Sequence, residues 1–88
     1  MGHLTPDELQ SILTSAAQQV ETGAMYRHYK GQTYTVVDVA ILEATDESAV
    51  VYRANYDPRL TFVRELRVWL ETVTVDGKTL PRFRKLDN

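Results

Sequence analysis

Residues 33–43 read Thr-Tyr-Thr-Val-Val-Asp-Val-Ala-Ile-Leu-Glu. The run is rich in β-branched side chains, which suit an extended, half-buried backbone. Strict alternation places Tyr34, Val36 and Asp38 on one face and Thr35, Val37 and Val39 on the other. Turn signals bracket the run, with Gly31-Gln32 before it and Thr45-Asp46-Glu47-Ser48 after it. The stretch therefore predicts one long strand, and the rest of the chain is organised around it.

Downstream, residues 49–56 predict the next strand. Asp57-Pro58 opens a loop, because proline biases its predecessor away from the helical region. Residues 60–64 predict a short strand. Residues 65–71 fit both periods, and Leu66, Trp69 and Leu70 favour a short helical turn. Residues 72–75 and 78–84 flank Asp76-Gly77, the pair preferred in a type I′ hairpin. Pro81 cannot donate to a ladder, so that last strand lies at an edge or carries a bulge. Upstream, residues 25–30 predict the first strand.

The chain begins differently. Thr5 is positioned as an N-cap, Pro6 occupies the first helical position, and Glu8 completes a capping box. Leu4 and Leu9 hold the positions of a hydrophobic staple. Leu9, Ile12, Leu13, Ala16, Ala17 and Val20 recur at spacings of three and four, one apolar stripe of a helix. Gly23 is expected to stop it. The stripe must dock on the chain's own sheet or on a second copy, which makes a homo-oligomer through this helix one expectation.

Six short strands without crossover helices predict a mainly β, antiparallel fold. The helical turn before the last hairpin favours a small Src-homology-3-like barrel. An open meander covered by the N-terminal helix is the alternative. Residues 1–23 form the helical segment in this reading, and residues 24–88 the small barrel domain.

Composition narrows the function classes. Eighty-eight residues make one small domain, with no room for separate cofactor and substrate domains. Hydrophobic residues at 43% and charged residues at 25% exclude a disordered chain. The absence of cysteine excludes a disulfide framework, a thiolate metal site and a thiol nucleophile. No stretch approaches the ~18 apolar residues of a membrane span, and nothing resembles a secretory signal, so a soluble cytoplasmic protein is expected. Residues 1–23 carry Asp7, Glu8 and Glu21 without a Lys or Arg. All ten basic residues therefore lie in residues 24–88, against nine acids.

Tyr26-Arg27-His28-Tyr29-Lys30-Gly31, together with Val63-Arg64 and the closing Val75-Asp76-Gly77-Lys78 and Pro81-Arg82-Phe83, resembles a small bacterial family. That family is catalogued as domain of unknown function 1653. The resemblance covers about residues 24–86, implies a small β-rich domain and implies no activity. The sequence departs from the family pattern at Ile41-Leu42-Glu43-Ala44-Thr45, where relatives carry a histidine and a serine. It departs again at Phe62, where tryptophan is usual, and at Glu65, where proline is usual.

The residues that could carry chemistry are aromatic and basic. Tyr26, His28 and Lys30 are expected on one face of the first strand, and Arg27 and Tyr29 on the other. Lys78, Arg82, Arg84 and Lys85 cluster with Phe83 near the end of the chain. Arg64 offers a rigid fork of five donors, suited to a carboxylate or phosphate, or to an internal partner such as Asp38, Glu71 or Asp76. The surface formed by Tyr26, Arg27, His28, Lys30, Arg64 and Arg82 is the candidate binding site, for a polar or anionic partner. The function read from it is a non-enzymatic binding or interaction module. Two alternatives use the same residues: a single-stranded nucleic-acid binder, and a small-ligand or enzymatic site around His28 and Arg64. No catalytic residue, cofactor or metal is expected, since His3 and His28 lack ligand spacing with any acid. Asp46 and Glu47 read as turn chemistry. Trp69 is expected either to plug the domain or, if exposed, to mark a protein interface.

Overall fold

The structure is a computed structural model that describes residues 4–87. His3 lies outside them. Helix α1 spans Pro6–Gln19. The strands are β1 (Met25–His28), β2 (Thr33–Leu42), β3 (Glu47–Ala54), β4 (Thr61–Glu65), β5 (Thr72–Val75), β6 (Lys78–Pro81) and β7 (Phe83–Lys85), with the one-turn helix α2 (Leu66–Trp69) between β4 and β5.

The helix starts as its capping residues dictate. Glu8 N–H donates to Thr5 Oγ1 at 3.2 Å, and Thr5 N–H donates to Glu8 Oε1 at 2.9 Å. Its end differs from expectation. Val20 is already extended at φ −137°. Gly23 is left-handed at φ +87°, but it belongs to the following turn, where its N–H donates to the Val36 carbonyl at 2.8 Å. The chain therefore leaves the helix because Val20 is drawn into the core, where it is buried with Ala16.

Five strands form one antiparallel sheet in the order β4-β3-β2-β1-β7, and β5-β6 form a separate hairpin. Asp76 at φ +52° and Gly77 at φ +77° both occupy the left-handed region, as a type I′ turn requires. The last predicted strand is broken in two at Arg82. Pro81 ends β6, and the chain bends so that β7 returns to pair with β1. The structure thus has the expected mainly β class and N-terminal helix. The ladder order runs from β4 at one edge to β7 at the other, and no strand pairing among the described residues joins these edges into a closed barrel.

Alternation fails at one place in β2. The register slips between Val36 and Asp38, so Val36 faces Tyr52 and Val39 faces Val50. A β-bulge at Val37 inserts one residue, which turns Val39 inward and Asp38 outward, the reverse of the strict period-two reading. Val37 and Asp38 are exposed, and Asp38 Oδ1 accepts from the Val39 N–H at 2.8 Å.

One core holds the molecule together. Ala16 and Val20 from α1, Tyr26, Val36, Val50, Tyr52 and Phe83 from the sheet, and Leu66 and Trp69 from α2 form a single buried cluster. The apolar stripe of α1 therefore docks on its own sheet, against β2 and β3. Trp69 is 2% exposed and stacks flat on Phe83, with ring centroids 3.7 Å apart and planes 5° apart. That burial matches the expectation that Trp69 plugs the domain, and the exposed, interface alternative does not apply. No helix among the described residues is long and apolar enough to cross a membrane.

Candidate functional site

The ladders decide which side chains meet. Directly opposed residues share a face, and residues two apart on one strand share it too. Tyr26 opposes Tyr34, His28 opposes Phe83, Tyr52 opposes Phe62, and Val50 opposes Arg64. These residues all lie on the face that carries the core. Arg27 opposes Arg84 on the other face.

The inner face has two halves. Near α1 it is aliphatic, with Val36, Val39 and Val50 under the helix. Toward β4 and β7 it is aromatic. Tyr34 packs edge-on against Tyr52, Tyr56 and Phe83 at centroid separations of 5.2, 5.9 and 6.1 Å. Phe62 lies 5.7 Å from Tyr52. This half is not closed over: Tyr56 is 52% exposed and Phe62 37%. Burial and a hydrogen bond with Tyr56 push the Tyr34 phenol up to about 12, so it stays protonated across the physiological range.

Arg64 stands at the rim of this aromatic half. Its Nε donates to Tyr52 Oη at 3.3 Å, and its guanidinium carbon lies 5.5 Å from the Phe83 centroid. The ion pairs among the described residues use Arg59, Arg67, Arg82 and Lys85. Arg64 is thus a half-buried cation held by a phenol and a ring rather than by Asp38, Glu71 or Asp76.

His28 packs between Tyr29 and the edge of Phe83, at 4.5 and 4.9 Å. Its Nδ1 accepts from the Lys30 N–H at 3.2 Å. That bond assigns the proton of the neutral ring to Nε2. Burial lowers the His28 pKa, and the nearby charges of Arg64, Arg82 and Lys30 lower it further. At neutral pH the ring is an uncharged donor among cations.

The structure therefore divides the six predicted residues. Arg64, Arg82 and Lys30 all lie near enough to His28 for their charges to lower its pKa. Tyr26 is core: it is buried, edge-on to Trp69 at 5.3 Å, and its Oη accepts from the Glu21 N–H at 3.1 Å. Arg82 is a joint. Its N–H donates to the Glu71 carbonyl, its carbonyl accepts from the Tyr29 N–H, and its side chain pairs with Glu71 at 3.2 Å. Its buried Nε has no hydrogen-bond partner. Arg27 projects from the opposite face.

Sequence reasoning missed three contributors. Tyr34, Tyr52 and Tyr56 complete the aromatic half, and only the strand register places them beside Arg64. The alternation of Tyr34 with Val36 was a usable sign that Tyr34 faces inward. It also missed an acid pair: Glu47 and Glu65 hydrogen-bond to each other beside Arg67, which raises the Glu65 pKa. No group of three or more potential metal ligands occurs among the described residues.

These features define a class: a small antiparallel β domain whose inner face is capped by two helices and left open at an aromatic, arginine-bearing end. The chain belongs to the family described as Protein of unknown function (DUF1653), which it matches over residues 24–85. A crystal structure of a DUF1653 protein from Bordetella bronchiseptica is similar to it. The two are 38% identical, the likeness covers 77% of this chain and 90% of that one, and the TM-score is 0.68. No curated protein matches the sequence. Helix α1 lies outside the family match.

Proposed function

We propose that the chain is a non-enzymatic binding module and that the Arg64 end of the inner face is its recognition surface. One observation carries the reading: a half-buried guanidinium, held by Tyr52 and Phe83 and outside every ion pair among the described residues, at the rim of an aromatic face on which Tyr56 and Phe62 are exposed. A guanidinium has five N–H donors, and Tyr52 uses one. The planar fork suits a carboxylate or a phosphate, and the rings suit a flat or apolar group attached to it. His28 supports binding over catalysis. Its basic nitrogen is committed to a backbone N–H, so the ring offers a donor where a general base would need a free lone pair.

A single strand of nucleic acid is the second reading, favoured by the two exposed rings beside a cation. The test is an amide-resolved NMR titration with short single-stranded DNA and RNA and with aromatic carboxylates. Saturable shifts at Phe62, Arg64 and Tyr56, lost in Arg64→Gln, are the expected result. A steep fall with salt for the oligonucleotides alone would select the second reading. Titrations that leave these residues unmoved, or that Arg64→Gln does not alter, would refute the surface.

A further inference from the structure

On the face away from the aromatic basin, Arg27 and Arg84 are direct cross-strand partners at the β1–β7 edge. Two like charges placed opposite each other destabilise a ladder. Natural sheets usually separate such charges or insert an acid between them. Here neither arginine forms an ion pair among the described residues. Arg27 makes one long side-chain bond, from Nη1 to the Gly31 carbonyl at 3.4 Å. Both side chains are exposed, so neither serves the core.

The same two arginines line a recess of about 280 Å³ with His28, Tyr29, Leu80 and Pro81. One wall of it is cationic and the other is a proline, a leucine and a tyrosine. The bend at Arg82 creates it, because β6 swings away from the sheet just before β7 joins β1.

We propose that this recess is an anion site for a phosphate group, gripped by Arg27 and Arg84 with the body of the ligand against Tyr29, Leu80 and Pro81. A dianion between the two guanidiniums would convert a repulsive pair into a bridged one. Its two arginines lie on the face opposite Arg64, and His28 at the β1 edge stands between the two surfaces. The phosphate could belong to a free organic phosphate or to a nucleic-acid backbone, and the chemistry at the arginines is shared.

The experiment is a titration of the labelled protein, at constant ionic strength, with inorganic phosphate, adenosine monophosphate and a short oligothymidylate. The arginine Nε–H and the Tyr29 and Arg84 amide signals are followed. Saturable shifts at these positions are expected from inorganic phosphate. Tighter binding of the monophosphate would identify a free organic phosphate, and tighter binding of the oligonucleotide a backbone. Arg27→Gln or Arg84→Gln should each weaken binding roughly tenfold, the loss of one charge-assisted hydrogen bond. Arg84→Lys should restore part of it, and Arg64→Gln should leave it unchanged. Without ligand, Arg84→Gln should melt at a higher temperature than the parent, since it relieves the repulsion. The proposal fails if phosphate produces no saturable shift, or if the shifts survive in the Arg27→Gln, Arg84→Gln double variant. Sensitivity to Arg64→Gln instead of Arg84→Gln would also overturn it, without touching the separate reading of the Arg64 surface.

Discussion

The two halves of the inner sheet face are built from the same strands and behave as opposites. Under α1, small aliphatic side chains meet, and Val36 and Val50 are among the most buried residues of the chain. At the other end the side chains are larger, yet the surface stays open, with Tyr56 and Phe62 reaching solvent beside a cation. Larger rings would close a core better than valines if closure were the result. Burial there is limited because α2 is a single turn and covers only the centre, through Leu66 and Trp69. The difference separates stability from recognition along one continuous surface.

Trp69 sits between the halves, so its removal breaks the comparison hardest. Trp69→Ala should cost about 3–5 kcal/mol in chemical denaturation, because it deletes a buried indole and leaves Phe83 unstacked. Thr5→Ala acts on the closed half alone. It removes a reciprocal cap and should cost about 1 kcal/mol, with helix signals in circular dichroism weakened first. Tyr56→Ala acts on the open half and should stay within about 0.5 kcal/mol of the parent. The same variant should weaken partner binding at Arg64 in the NMR titration.

Proton linkage sharpens the contrast further. The His28 pKa lies below its ordinary value of 6.5, so the unfolded chain takes up the proton first as the pH falls. The resulting stability is fully present above 6.5 and is lost as the pH drops from there through the folded value. His28→Gln should flatten that part of the stability profile, measured as melting temperature against pH. The smallest effect is at Glu65. Glu47→Gln should change the carboxyl–carboxyl contact and return the Glu65 titration toward the ordinary value, visible by side-chain NMR with little change in melting.

Much of the fold was legible because local chemistry agreed with the global answer. Thr5, Pro6 and Glu8 set the helix start, and Asp76-Gly77 set the last hairpin, each through backbone hydrogen bonds or dihedral angles that no distant residue needs to supply. Where distant partners decide, the reading failed. The inserted Val37 inverted the faces assigned to Asp38 and Val39, and the sequence carries no proline or glycine to announce a bulge there. Gly23 looked like a helix stop, but the burial of Val20 ended the helix first. The candidate site was legible in composition and illegible in assembly. His28 and Arg64 meet only because β7 returns to β1 and brings Phe83 between them. Arg27, one residue from His28, is carried to the other face by the pleat.

The stacking of Trp69 on Phe83 has an optical consequence. The chain holds a single tryptophan, buried against the ring that Arg64 overlies. Its emission reports from one known place, with no second indole to average against. Unfolding should shift that emission to the red as the indole meets water. A partner that draws Arg64 away from Phe83 should change its intensity while the wavelength stays that of a buried ring. The protein thus carries its own label at the boundary between its closed half and its open one.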